Sequence, residues 1–246
     1  MKIVYGKSPL QSRQRRALVQ ALVQALAAGA LGATGIGVSM AQLLGKVPHR
    51  LPAGRSIYTL RGDVTVDEIA ADLDTAITPN SRVRTGPGAQ VAFVVGSEAF
   101  LLRANSRMDL MQDERTGLTR SLRLLSGKLL SVFGSGRFRA QTSLATIGIR
   151  GTGVYLEAEA ERSYICTCYG TTRIAAIDAP DLSEEIVTRH HDAPRYVYAA
   201  GRSDARIQPA PFVNHTDDEL ALLEALVGRT PPFSVPGGYG APRRDY

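Results

Sequence analysis

Cys166 and Cys168 stand one residue apart in SYICTCYGTTRI, and the chain has no other cysteine. Thiols at that spacing could oxidise to each other, hold a soft metal ion, or pack as small core residues. In a regular strand, residues i and i+2 point to one face, with Cα atoms about 6.6 Å apart and side chains nearly parallel. A disulfide needs Cβ atoms near 4 Å, so a bond between these two requires a distorted strand. A Cys-x-Cys pair on one face can instead present two thiolates to a metal, and two imidazoles would complete a tetrahedral zinc or copper site.

Only four histidines are available: His49, His190, His191 and His215. His49 lies in a Pro/Gly-rich stretch. His190 and His191 occur in TRHHDAPRY, and His215 in FVNHTDDEL. The candidate metal ligands are therefore Cys166, Cys168, His191 and His215, with His191 expected to come nearer the sulfurs than His215. Asp192 could ligate or orient an imidazole. The spacing matches no zinc-finger pattern, and the cofactor is unknown. The alternatives stay open: the cysteines as core residues with the histidines bonding loops, or a thiol-redox pair.

Other chemistry is absent. There is no Gly-x-Ser-x-Gly, no His-Glu-x-x-His and no Ser-x-x-Lys with its companions, so the chain is not expected to be an enzyme. GIRGTG spaces its glycines wrongly for a dinucleotide fingerprint. SGKL lacks the hydroxyl after Lys128 that a phosphate loop needs. Acidic pairs such as Asp63 with Asp67, or Asp72 with Asp74, read as a solvated face.

The compartment decides what free thiols mean. Residues 1–41 hold Lys2, Lys7, Arg13, Arg15 and Arg16 and no acid, and Ala17 to Ala41 carries no charge. That is the pattern of a signal peptide ending in SMA, or of a retained membrane anchor. Arg15-Arg16 suggests the twin-arginine route. Either way the rest of the chain is exported, to the periplasm. The net charge of +6 then means little, because five of the six positive charges belong to this leader. The remainder is nearly neutral, and no basic run is interleaved with aromatics, so nucleic acid is excluded as a partner.

The elements that must position the cysteines are strands. Residues 42–55 read as a linker. From Ser56 to about Ile177, short apolar runs alternate with turn residues, among them QVAFVV, EAFLLR, KLLSVF, GVYLEA and RSYICTC. Gly96-Ser97 predicts a tight hairpin. In GVYLEA, Val154, Leu156 and Ala158 share one face, Tyr155 and Glu157 the other. VDEIAADLDTA (66–76) could make two helical turns. The glycines of Arg150-Gly151-Thr152-Gly153 break a strand and permit positive φ, and Arg150 could bridge carbonyls or pair with an acid at the bend. Near the C-terminus, Thr216 and Glu219 form a capping box for a helix over 217–227. Leu220, Leu223 and Val227 make its apolar stripe, Leu226 widens it, and Gly228 caps it. Residues 229–246 read as a disordered tail.

ATIGIRGTGVYL, with VRTGPGAQVAF before a Gly-Ser turn and LLSGKLL, resembles the FecR-like periplasmic domain, over roughly residues 57–177. The resemblance implies an exported β-rich domain at 56–178, followed by a C-terminal extension over 179–228, with no catalytic residues. In some members the domain relays transporter occupancy to a sigma factor. Those members carry a cytoplasmic domain before the membrane segment, whereas here 16 residues precede Ala17, so anti-sigma signalling is not expected. The expected fold is all-β, a multi-stranded sandwich or solenoid-like domain with one short C-terminal helix. The expected function is an exported, non-catalytic binding, scaffold or sensory module whose partner is an unknown envelope protein or ligand. The alternative is a periplasmic metal-binding or thiol-redox protein built on the same sheet.

Overall fold

The computed structural model describes residues 49–203 and 205–233. The leader over 1–41, most of the linker and the end of the tail lie outside the described residues. Among the described residues no helix is long and apolar enough to cross a membrane.

Among the described residues the fold is all-β with one short helix. Fourteen strands join in one sheet, antiparallel throughout except for the β8–β9 pair. β1 (Ile57–Arg61), β2 (Val64–Val66), β3 (Ile69–Ala70), β4 (Arg82–Thr85), β5 (Gln90–Val95), β6 (Glu98–Leu102) and β7 (Arg107–Gln112) are short. Three long strands form the spine: β8 (Thr119–Val132), β10 (Ala145–Ala158) and β11 (Arg162–Ala176). β9 (Arg137–Gln141), β12 (Ala179–Thr188), β13 (Arg195–Tyr198) and β14 (Ile207–Pro209) complete the sheet.

The long strands change partners midway. β10 pairs with β9 over Thr146–Arg150 and with β8 over Gly153–Ala158, and the register shifts between Arg150 and Gly153. β11 pairs with β12 over Gly170–Ala176 and with β13 over Arg162–Ile165. The glycine-containing bend is thus the hinge of the spine, with Gly151 at φ +56°. Among the described residues Arg150 forms no ion pair, and it is exposed.

Both faces are apolar where the spine is central. Val154, Leu156 and Ala158 enter an inner core that runs from Ile57 and Val64 to Ile186 and Val197. The helix lies on the other face, so among the described residues strands alone cover this core, and the sheet curls over its own inner face. Tyr155 turns to the outer face, which forms a second cluster with Tyr164, Cys166, Cys168, Leu220, Leu223 and Leu226. Strands buried on both faces read as continuous apolar runs, which explains the weak alternation of QVAFVV and SYICTC.

The Gly96-Ser97 turn joins β5 to β6 with Val95 opposite Glu98 and Gly96 at φ +65°. The 66–76 stretch is not helical. Asp67 and Glu68 both take positive φ, turning β2 into β3. The helix, α1 (Asp217–Leu226), has its capping box formed, with Thr216 accepting from the Glu219 N–H. Its Leu220, Leu223 and Leu226 dock on the outer face of the sheet. The C-terminal extension is no separate body, since β12, β13 and β14 lengthen the same sheet. Linker and tail also pack in part. Leu51 N–H bonds the Leu226 carbonyl at 2.9 Å. Arg229 reaches Glu224 and the Ser97 carbonyl, and Phe233 packs edge-to-face with Tyr169.

Candidate metal centre

Three segments meet on the outer face. β11 presents Tyr164, Cys166 and Cys168 to one side, because a strand alternates its side chains. The loop after β12 brings His191, and the segment entering α1 brings His215. Both loops contain residues held in the left-handed region, His191 itself at φ +54° and Asn214 at φ +60°. Such conformations cost on the order of 1 kcal/mol and persist where surroundings enforce them. At His191 the enforcement is visible: its N–H donates to the Cys168 carbonyl at 2.9 Å, tying the loop to the strand.

The four donor atoms lie within 4.8 Å of one another. Cys166 Sγ is 3.4 Å from His191 Nδ1, Cys168 Sγ is 3.4 Å from His215 Nε2, and the two nitrogens are 3.1 Å apart. A tetrahedron built on Zn–S bonds of 2.3 Å and Zn–N bonds near 2.05 Å has S–N edges of about 3.5 Å and an N–N edge of about 3.3 Å. Three of the six edges therefore lie within a few tenths of an ångström of a zinc tetrahedron, and the other three are no longer than 4.8 Å. Each imidazole stands against its own sulfur, so His191 is no closer than His215.

The far nitrogens fix the tautomers. His215 Nδ1 is 2.7 Å from the Val213 carbonyl, which can only accept, so Nδ1 carries the proton and Nε2 is free to ligate. His191 Nε2 donates to Asp217 Oδ1 at 3.0 Å, which leaves Nδ1 toward the sulfurs. Ligating histidines are typically held in this way by a carbonyl and a carboxylate. Asp217 also bonds His190 Nε2 at 2.9 Å. Asp192 does not orient an imidazole. Its carboxylate accepts from Thr188 Oγ1 and from the Arg189 and His190 amides, shaping the turn that delivers His191. As an acid in the first turn of α1, Asp217 also sits at the positive end of the helix dipole. The signal for its contact with the histidines was its place two residues after His215.

Burial and charge work against each other here. Cys166 and Cys168 are wholly buried, and His191 and His215 nearly so. Tyr155 stacks on His215 with centroids 4.4 Å apart, and Phe212 packs against both imidazoles at 4.6 Å. Burial disfavours a Cys166 thiolate. Hydrogen bonds from Cys168 and His191 outweigh it and hold that thiol well below its usual value. Burial, and then the Cys166 thiolate beside it, pushes Cys168 up. Burial likewise opposes charge on His191, but the Asp217 and Cys166 hydrogen bonds raise it to about 9. The lowered Cys166 thiol and the raised His191 imidazole together favour a thiolate–imidazolium pair in the metal-free site. The Nδ1 proton of His191 sits where two nitrogens and a sulfur converge, and a metal ion would take its place. His49 is exposed and takes no part.

No family model matches this chain, and no curated protein is similar to it in sequence. Two crystal structures of a candidate anti-sigma factor from Parabacteroides distasonis share part of the fold. They have TM-scores of 0.43 and 0.42 and identities of 12% and 14%, each match covering 52% of this chain. The chain spans 58% of the length of those structures.

Proposed function

We propose that this chain is an exported, non-catalytic metalloprotein module in which Cys166, Cys168, His191 and His215 hold one zinc ion. The observation that carries the reading is the convergence of two sulfurs and two correctly tautomerised imidazole nitrogens, from three separate segments, with three edges close to those of a zinc tetrahedron. Four protein ligands and a closed aromatic jacket leave no position for water or substrate, as in structural rather than catalytic zinc sites. An S₂N₂ tetrahedral set favours zinc over harder ions. In an oxidising compartment, a bound metal would also keep two adjacent thiols from being oxidised.

The resemblance to FecR-like domains supports a scaffold or sensory role in the envelope, with the metal holding the C-terminal segment against the sheet. Thiol-redox function is the weaker reading, because the i, i+2 spacing of a strand is unsuited to a disulfide and each sulfur also has a histidine nitrogen at 3.4 Å.

The test is elemental analysis of the purified full chain, with cobalt substitution. One equivalent of zinc is expected, and the cobalt form should show the visible bands of a tetrahedral thiolate site. Cys166→Ala and His215→Ala should each abolish both signals. A chain that refuses zinc and cobalt while its two thiols titrate freely would end the proposal.

A further inference from the structure

β9 reads Arg-Phe-Arg-Ala-Gln, and its burial alternates. Phe138 and Ala140 are buried, while Arg137 and Arg139 are exposed. Both guanidiniums therefore leave from the outer side of this part of the sheet. Register extends the face to neighbouring strands. Arg139 pairs with Ser121 of β8 and with Gly148 of β10, and Gly148 pairs with Arg173 of β11. In the next row, Arg137 pairs with Arg150, and Arg150 with Thr171. Residues paired in register share a face, so Arg137, Arg139, Arg150 and Arg173 surround Gly148. With strands about 4.8 Å apart and alternate residues about 6.6 Å apart, their Cα atoms fall within roughly 10 by 7 Å.

These side chains and Arg120 line an open depression of about 510 Å³. Gly148 leaves its floor bare, since a Cβ there would meet only Arg173, at 3.8 Å. Glu185 is the one acid in the lining. Among the described residues, none of the five arginines forms an ion pair, and Arg173 has only the Ser183 hydroxyl as a hydrogen-bond acceptor, at 2.9 Å. Like charges directly opposite across strands, as in Arg137 and Arg150, are destabilising. A nearly neutral exported chain thus concentrates unpaired positive charge on one small concave face. All five cations are arginine and none is lysine, which favours a planar, forked acceptor.

We propose that this depression binds a ligand bearing two or more phosphate groups, held by Arg137, Arg139, Arg150 and Arg173 above Gly148. The site is separate from the metal centre and does not depend on it.

The experiment is calorimetric titration of the full chain with inorganic tripolyphosphate at low salt, alongside sedimentation with phosphatidylcholine vesicles containing cardiolipin, whose headgroup carries two phosphates. Binding that weakens as salt rises is expected. Arg139→Gln with Arg173→Gln should lower affinity at least tenfold. Gly148→Leu, which removes no charge, should also lower it at least tenfold by filling the floor. Arg61→Gln with Arg107→Gln, exposed and distant in sequence, should change it less than twofold. Tripolyphosphate binding without vesicle binding assigns the site to a soluble phosphate ligand. Vesicle binding lost in the Arg139/Arg173 variant assigns it to a lipid headgroup. The proposal is overturned if tripolyphosphate at 1 mM gives no binding, if Gly148→Leu binds normally, or if the control pair weakens binding as much as the site pair.

Discussion

His191 Nδ1 and His215 Nε2 lie 3.1 Å apart, too close for two lone pairs to face each other in the absence of a proton or a cation. In the metal-free protein the proton is on His191, raised to about 9 against an ordinary value of 6.5. The linkage follows from the sign of that shift. The stability it contributes is fully present below about pH 6.5 and is lost as pH rises through about 9. The lowered Cys166 thiol has the opposite sign: the folded chain gives up on Cys166 the proton it keeps on His191, so urea titrations of the metal-free chain should show stability nearly flat between about pH 6.5 and 9 and falling above pH 9, where the raised His191 and Cys168 lose their protons. Zinc must displace this proton and the one on Cys168, whose thiol is also raised. Calorimetry at pH 7 in buffers of different ionisation enthalpy should register release of roughly two protons per zinc, with affinity rising toward pH 9. Release of only one proton at pH 7 would show that His191 is neutral beside the Cys166 thiolate in the metal-free state.

At the scale of elements, the strands that carry the site depend on two glycines whose demands differ. Gly151 has φ +56° and open space where a Cβ would be. Gly170 has φ +89°, and a Cβ there would lie 2.1 Å from Thr152 Oγ1 and 2.7 Å from the Gly151 carbonyl oxygen. Alanine at 151 should cost only the left-handed backbone, about 1–2 kcal/mol. Alanine at 170 adds a collision with backbone and should cost about 3 kcal/mol or more. It should also loosen zinc, because residue 170 follows Cys168 closely on β11. Denaturant midpoints of the two variants measure the difference. Equal costs would show that the β10–β11 pairing relaxes around the added methyl group.

For the whole molecule, the proposed metal links the middle of the chain to its end. The cysteines belong to the spine, His191 to the loop after β12, and His215 to the lead into a 10-residue helix that is marginal alone. That helix is held by the leucine stripe and capping box, by Arg103 pairing with Glu219 at 2.8 Å, and by the site. At zinc a hundredfold above its Kd, the gain is about 2.7 kcal/mol, or roughly 5–10 °C in Tm for a chain of this size. Chelation should remove that gain. Hydrogen exchange should then quicken in α1 and residues 189–194 while the β8–β10 pairing stays protected. Uniform loosening of the whole sheet would mean the metal supports the global fold rather than the C-terminal segment.

Much of this was legible in the sequence because it is local. The capping box of α1, the Gly96-Ser97 hairpin, the two faces of GVYLEA and the all-β class depend on residues close in the chain, where spacing fixes direction. The four candidate ligands could be named from their chemistry, since so few cysteines and histidines exist. Their convergence could not be. His191 and His215 stand 25 and 47 residues beyond the sulfurs they meet, and only the curl of the sheet and the docking of α1 close that distance. Asp217 looked like a dipole partner because its second role depends on a loop from another part of the chain. Turn chemistry at Asp67 and Glu68 overrode the helical spacing of 66–76 by allowing β2 to fold back on β3. The arginine face was invisible for the same reason. No run of residues is basic, yet strand register stacks single arginines from β9, β10 and β11 side by side. Sequence thus determined which side chains are available and which way each local element points them. Tertiary structure decided which of them meet, because that depends on contacts between segments far apart in the chain.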